Sequence, residues 1–251
     1  IEISVLTQHF KNYNCKMSLI CLNKLGWNVD KVAFEKEVRD ICSDPLIRIK
    51  NPNWLTLVFN AESSMKFPNV NRIGAVGYIQ ITKSTAKDLQ TTVEHLKTLS
   101  PLEYLYYVRK YLRMRVKQYG APDSAYELYA LVHYPVAFKK AENYVLYRKG
   151  SDAYSGNSSL DYNADGAVTV KEMNLFFDKR LPLLYDKELL FTPEDTTRVY
   201  VADIELKYIL AGLFFGLAML VGLIFYFRKN QITKYLKNHV LFRKKEKRLP
   251  I

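Results

Sequence analysis

From residue 31 to residue 134, apolar side chains recur at the three- and four-residue spacing of helices that bury one face. Val32, Phe34, Val38 and Ile41 fall this way in residues 31–42, and Asp44-Pro45 stops the pattern. Asn51 and Pro52 then read as an N-cap and a first-turn proline. The helix they start, residues 53–63, contains the run Trp54-Leu55-Thr56-Leu57-Val58-Phe59 and ends on Glu62-Ser63. A polar loop with Pro68, Asn69, Asn71 and Gly74 follows, and then a second apolar segment, Gly77-Tyr78-Ile79-Gln80-Ile81, with one amide embedded in it. Thr82 to Ala86 reads as a capped helix start. Ser100, Pro101 and Glu103 form a second start signal, with a capping serine, a proline at the first position and a glutamate at the third. The helix beyond, Pro101–Tyr119, carries Leu102, Leu105, Val108, Leu112 and Val116 among Arg and Lys, and Gly120 to Asp123 breaks it. Residues 124–134 form an apolar helix, and residues 150–160 have the composition of a loop.

The predicted fold is mainly α. Near the C-terminus the pattern changes kind, because residues 208–227 are twenty positions without a charge, with Tyr208 and Tyr226 at the ends. At about 1.5 Å per residue this spans a hydrocarbon core of roughly 30 Å. One C-terminal transmembrane helix is therefore expected, with residues 182–207 as a stalk and 1–32 as an N-terminal extension of no assigned role. The net charge of +12 suggests nucleic acid until it is located along the chain. Residues 228–251 hold nine Lys/Arg against one acid, Glu246, so the folded part carries little excess. Residues 193–207 hold four acids and two bases. That asymmetry places the basic tail in the cytoplasm or inside a particle and the N-terminal domain across the membrane. The tail suits anionic lipid or packaged DNA. The three cysteines, Cys15, Cys21 and Cys42, allow at most one disulfide and have no histidine at metal-ligand spacing.

Two stretches carry candidate chemistry. Glu62 sits at the end of a greasy helix facing the Gln80 segment, and an apolar setting is what lets a carboxyl hold a proton for general acid work. Residues 161–172 match the calcium-loop template at every specified position. Asp161, Asn163, Asp165 and Glu172 supply side-chain oxygens, Ala167 its carbonyl, Thr169 a hydroxyl or a water, and Gly166 permits the sharp turn. A structural Ca2+ is expected here rather than a sensor. His133 is read as a helix-end histidine with no special role.

These segments resemble the soluble lytic transglycosylase-type domain, related to goose-type lysozyme, in the versions encoded by phages and mobile elements. The resemblance covers residues 33–181: Glu62-Ser63, Gly74 to Ile81, the helix start at Thr82, the Ser100 to Leu105 segment, Leu131-x-x-Tyr134-Pro135 and the calcium-like loop, in that order. It implies a lysozyme-like α domain that cleaves the β-1,4 bond between N-acetylmuramic acid and N-acetylglucosamine in peptidoglycan, with Glu62 as acid and then base. By the same resemblance Tyr78 and Gln80 line sugar subsites, Ser63 supports the Glu loop, and Tyr134 orients Glu62. Tyr78 and His133-Tyr134-Pro135 depart from the usual residues. A hydrolytic muramidase is the alternative, with Asp88 or Glu127 as second carboxylate; another is a membrane-anchored cell-wall-binding protein without turnover. The expected setting is a single-pass membrane protein of a virion that breaches the wall on entry, or otherwise of a bacterial inner membrane.

Overall fold

The computed structural model describes residues 18–183, 185–193 and Arg228. Eight α-helices and one two-stranded antiparallel sheet make up this part: α1 (Lys31–Cys42), α2 (Pro52–Ser63), α3 (Lys83–Asp88), α4 (Val93–Thr98), α5 (Pro101–Tyr119), α6 (Ala125–His133), β1 (Val145–Arg148), α7 (Asp152–Asn157), β2 (Ala167–Thr169) and α8 (Val170–Asp178). Single 3-10 turns occupy Leu22–Lys24, Pro135–Ala137, Ser158–Leu160 and Lys187–Leu190. The described fold is mainly helical. Among the described residues no helix is long and apolar enough to cross a membrane. Residues 208–227, expected to span one, lie outside the described residues, as do Cys15 and the basic tail after Arg228.

Helix α2 is the axis of the fold. It packs on α1 and α6, while α5 lies against both of these and α8 against α6. A helix this apolar on every side must be surrounded, and its polar side chains anchor what surrounds it. Asn51 caps the helix through the N–H of Asn53 and donates to the Thr192 carbonyl at 3.1 Å. Asn53 accepts from Ile20 N–H at 2.9 Å, and Trp54 Nε1 donates to the Leu189 carbonyl at 2.8 Å. Asn60 donates to the Arg180 carbonyl and accepts from Lys24 Nζ. Each buried amide is thus spent on a backbone group that would otherwise lack a partner.

Two boundary expectations change as a result. Leu19, Cys21, Leu22 and Leu25 are buried in the core, so residues 18–32 are part of the domain rather than an extension. Leu189 and Leu190 are also buried, so the start of the supposed stalk covers α2 instead of leaving the domain. A third change concerns residues 150–160, which are helical: Ser151 caps α7 through Tyr154 N–H, and the Ser158–Leu160 turn follows. The acidic loop therefore has a short helix before it as well as α8 after it.

The two strands pair antiparallel, with Val145 opposite Thr169, Tyr147 opposite Val168 and Arg148 opposite Ala167. This joins the acidic loop to the main body through its own last residues. Beside α2, the rings of Phe34, Phe59, Phe67, Tyr78 and Tyr104 pack together with centroids 5.0–6.3 Å apart. Burying a side chain of this size contributes about 1.5–3 kcal/mol, so this cluster is a main support of the α2 C-terminus.

Candidate active site

Of the twelve residues of α2, Glu62 alone is not fully buried. The helix closes in a Schellman-like turn in which Ser64 and Met65 take left-handed conformations, φ 54° and 61°, and the Ser64 N–H returns to the Asn60 carbonyl. The turn directs the chain away just as the carboxylate reaches the surface. Ser63 is buried, and its hydroxyl donates to the Phe59 carbonyl at 2.8 Å, so it supports Glu62 by holding the last helical turn.

Helix α6 delivers the groups nearest the carboxylate. His133 Nδ1 lies 3.4 Å from Glu62 Oε1, with the two side chains 14% and 13% exposed. Tyr129, one helical turn earlier, stacks its ring on His133 at 5.3 Å, and its hydroxyl is 3.5 Å from the same Nδ1. Burial first, and then the Glu62 charge, pushes the Tyr129 ionisation far up, so its hydroxyl keeps its proton. Tyr147 on β1 is pushed up by burial, then by Tyr134 and Glu62. Tyr111, raised chiefly by burial, donates to the Leu131 carbonyl at 2.7 Å and fixes the end of α6. Glu62 Oε1 and His133 Nε2 are buried and make no hydrogen bond among the described residues.

The other sequence-predicted residues divide. Tyr134 caps α6, and its ring meets Tyr147 at 5.2 Å; the ring 3.4 Å from Glu62 is that of His133, one residue before it. Gln80 takes a left-handed φ of 51° and folds its amide back onto the Gly77 carbonyl at 2.8 Å. Tyr78 is 1% exposed and belongs to the aromatic cluster. It borders a groove of ≈ 460 Å³ with Met65, Phe67 and Glu103, whose lining does not include Glu62. Its place is therefore in the core rather than on a sugar subsite beside the carboxylate. The two proposed second carboxylates have other settings. Asp88 is exposed on α3, and Glu127, in the first turn of α6, accepts from the Asp123 N–H at 2.7 Å.

Tyr129, Tyr147 and the role of His133 were not anticipated. A signal for the first was available, since Tyr129 precedes His133 by four residues and the two share a helix face. Tyr147 carries no local signal, because only the strand pairing brings it to the site.

In the acidic loop, Asp161 accepts from Gly166 N–H at 2.9 Å and from the Tyr154 hydroxyl at 2.6 Å, and the latter does most to hold it below the ordinary carboxylate range. Asn163 and Asp165 bond to each other, and Asp165 accepts from Ala167 N–H. Glu172 accepts from Tyr162 N–H on one oxygen and closes a capping box with Thr169 through the other. The donor types suit a hard divalent cation. As folded, however, no three Asp, Glu, His or Cys side chains among the described residues are grouped to hold one ion.

With this geometry in place, one comparison with known proteins bears on the class. Residues 48–154 match the family described as Transglycosylase SLT domain. No curated protein and no solved structure matches the chain. The SLT match supports a lytic transglycosylase or lysozyme-like domain, with peptidoglycan as the substrate class and glycosidic-bond cleavage as the reaction class. It includes Glu62, the Gly77 to Ile81 segment, Tyr134 and Tyr147, and it ends before the acidic loop and α8.

Proposed function

We infer that Glu62 is the single acid/base of a peptidoglycan lytic transglycosylase. The observation that carries this reading is the placement of one carboxylate at the only opening in an otherwise buried helix, ringed by Tyr129, His133 and Tyr147. The protonated carboxyl gives its proton to the oxygen between N-acetylmuramic acid and N-acetylglucosamine, and the C1–O bond breaks. The carboxylate so formed takes the proton of the muramic acid C6 hydroxyl as that oxygen bonds to C1. The products are a 1,6-anhydro end and a released 4-hydroxyl, and Glu62 is again an acid. No water is consumed. An inverting muramidase would need a second carboxylate across the sugar, about 6.5–9.5 Å from the first, a part that Asp88 or Glu127 would have to take. Mass analysis of digested peptidoglycan tests the assignment, because anhydro products are lighter than hydrolytic ones by one water; hydrated ends alone would overturn it.

The loop of residues 161–172 is the candidate Ca2+ site, held by Asp161, Asn163, Asp165 and Glu172 with the Ala167 carbonyl and Thr169. The ion would serve a structural role, since β2 ties the loop to β1 and so to Tyr147. Residues 208–227 would anchor the enzyme in a bilayer, with the domain facing the wall and the basic tail on the opposite side. The uncharged run and the nine Lys/Arg after it support that arrangement. A virion membrane is the proposed setting on the strength of the phage-like order of segments, and detection of the protein in purified particles tests it.

A further inference from the structure

We propose that His133 and Tyr129 are positioning residues for Glu62, holding the buried Oε1 so that Oε2 is the oxygen presented to the scissile bond. This rests on the reading of Glu62 as the catalytic acid and goes beyond it by assigning how that acid is aimed.

Three observations carry the assignment. The first is an unmet need with a nitrogen beside it: Glu62 Oε1 is buried without a hydrogen bond among the described residues, and the nitrogen facing it, His133 Nδ1, is 3.4 Å away. That is slightly beyond a good N–H···O distance, and catalytic hydrogen bonds in ligand-free sites commonly tighten when substrate enters. The second is redundancy. The Tyr129 hydroxyl lies 3.5 Å from the same Nδ1, and the Glu62 charge acts on it, so a second donor from the same helix face stands beside the pair. With the hydrogen on Nδ1, His133 donates to Oε1, and the Tyr129 hydroxyl, which cannot donate to a protonated Nδ1, turns its hydrogen toward the Glu62 carboxylate.

The third observation is that the pair cannot turn away. Phe177 of α8 stacks under Tyr129 at 4.8 Å, and Phe176 of the same helix lies 6.5 Å from both rings. Tyr147 closes the far side of His133 edge-on at 6.4 Å. The Tyr111 hydroxyl pins the carbonyls of Leu131 and Val132. A histidine kept only for packing would not need a ring nitrogen here, since phenylalanine would stack equally well between these rings. His133 also stands too close to Glu62 to replace the second carboxylate of an inverting hydrolase, which works from the opposite face of the sugar.

Steady-state cleavage of soluble peptidoglycan strands by the full-length protein tests the proposal. His133→Phe keeps the stacking and removes the N–H, while His133→Asn keeps a donor near the place of Nδ1. With the melting midpoint of each variant checked first, His133→Phe is expected to lower kcat about 10- to 100-fold with KM changed less than about twofold. His133→Asn is expected to recover most of that loss, and Tyr129→Phe to show a smaller drop in kcat. A His133→Phe enzyme as active as the parent, or one changed only in KM, would overturn the proposal. Glu62→Gln is measured in parallel. If it is inactive while His133→Phe is fully active, only the positioning role fails; if it retains activity, the underlying reading of Glu62 fails instead.

Discussion

Gly77 is where a single methyl group should do most damage, for a steric reason. Its φ is +81°, and a Cβ added there would stand 2.3 Å from Tyr104 Cζ, 2.5 Å from Cε2 and 2.6 Å from the hydroxyl oxygen. Tyr104 cannot retreat easily, because it is fully buried, donates to the Val76 carbonyl at 2.8 Å and is packed against Phe67 and Tyr78. The left-handed backbone costs alanine about 1–2 kcal/mol. Displacing the ring adds about 1 kcal/mol for its hydrogen bond and about 1–3 kcal/mol of overpacking. Gly77→Ala should therefore destabilise the domain by roughly 3–6 kcal/mol, a large part of the ~5–15 kcal/mol typical of a folded domain. Urea unfolding read through the buried Trp54 measures it, since Trp27 is 97% exposed and should respond little. In a Tyr104→Leu background the clash is relieved and the same substitution should cost only the backbone term, about 1–2 kcal/mol. If its cost in the two backgrounds agreed within about 0.5 kcal/mol, the sites would be uncoupled and the steric argument refuted.

Three further outcomes follow from the same structure. Burial alone would push Asp44 up, but Arg113 at 2.6 Å, the Leu46 N–H and Arg109 together hold it below its ordinary value of 3.8. Its stabilising contribution is then fully present above that value and lost as pH falls through the folded one, so Asp44→Asn should cost about 2–4 kcal/mol at pH 7 and progressively less below about pH 4; a penalty independent of pH would contradict this. Calcium at about 100 times its Kd should add about 2.7 kcal/mol, a rise in melting temperature of roughly 5–10 °C that a chelator reverses and Glu172→Gln abolishes, whereas an unmoved midpoint would remove the metal from the account. Asp88→Asn should leave peptidoglycan cleavage within about twofold of the parent, given its exposed position on α3; a large loss would revive the hydrolytic reading.

The parts of this fold that sequence specifies are those whose causes are local. Asn51-Pro52 and the Ser100-Pro101-Leu102-Glu103 box start α2 and α5 where their caps require, and Ser100 and Glu103 bond reciprocally. The place of Glu62 at the surface end of α2 was legible because a charge at the end of an apolar run has nowhere inside to go. The helical character of residues 150–160 was hidden by Ser, Asn and Gly, which read as loop until a capping serine is credited with starting a turn and a half that rests on β1. Tyr78 misled for the opposite reason. It lies in a segment that looks site-facing, yet the left-handed Gly77 and Gln80 on either side turn its ring into the aromatic cluster. The surroundings of Glu62 were the least legible part, since Tyr147 arrives through a bulged strand pair and the aromatic floor under His133 comes from α8, more than a hundred residues beyond the carboxylate.

The most direct test of the central claim is the product of Glu62 itself. Purified peptidoglycan digested with the parent protein should release 1,6-anhydromuramic ends, identified by mass, and Glu62→Gln, folded with an unchanged melting midpoint, should release none above background. Hydrated ends from the parent, or anhydro ends still formed by Glu62→Gln, would contradict it.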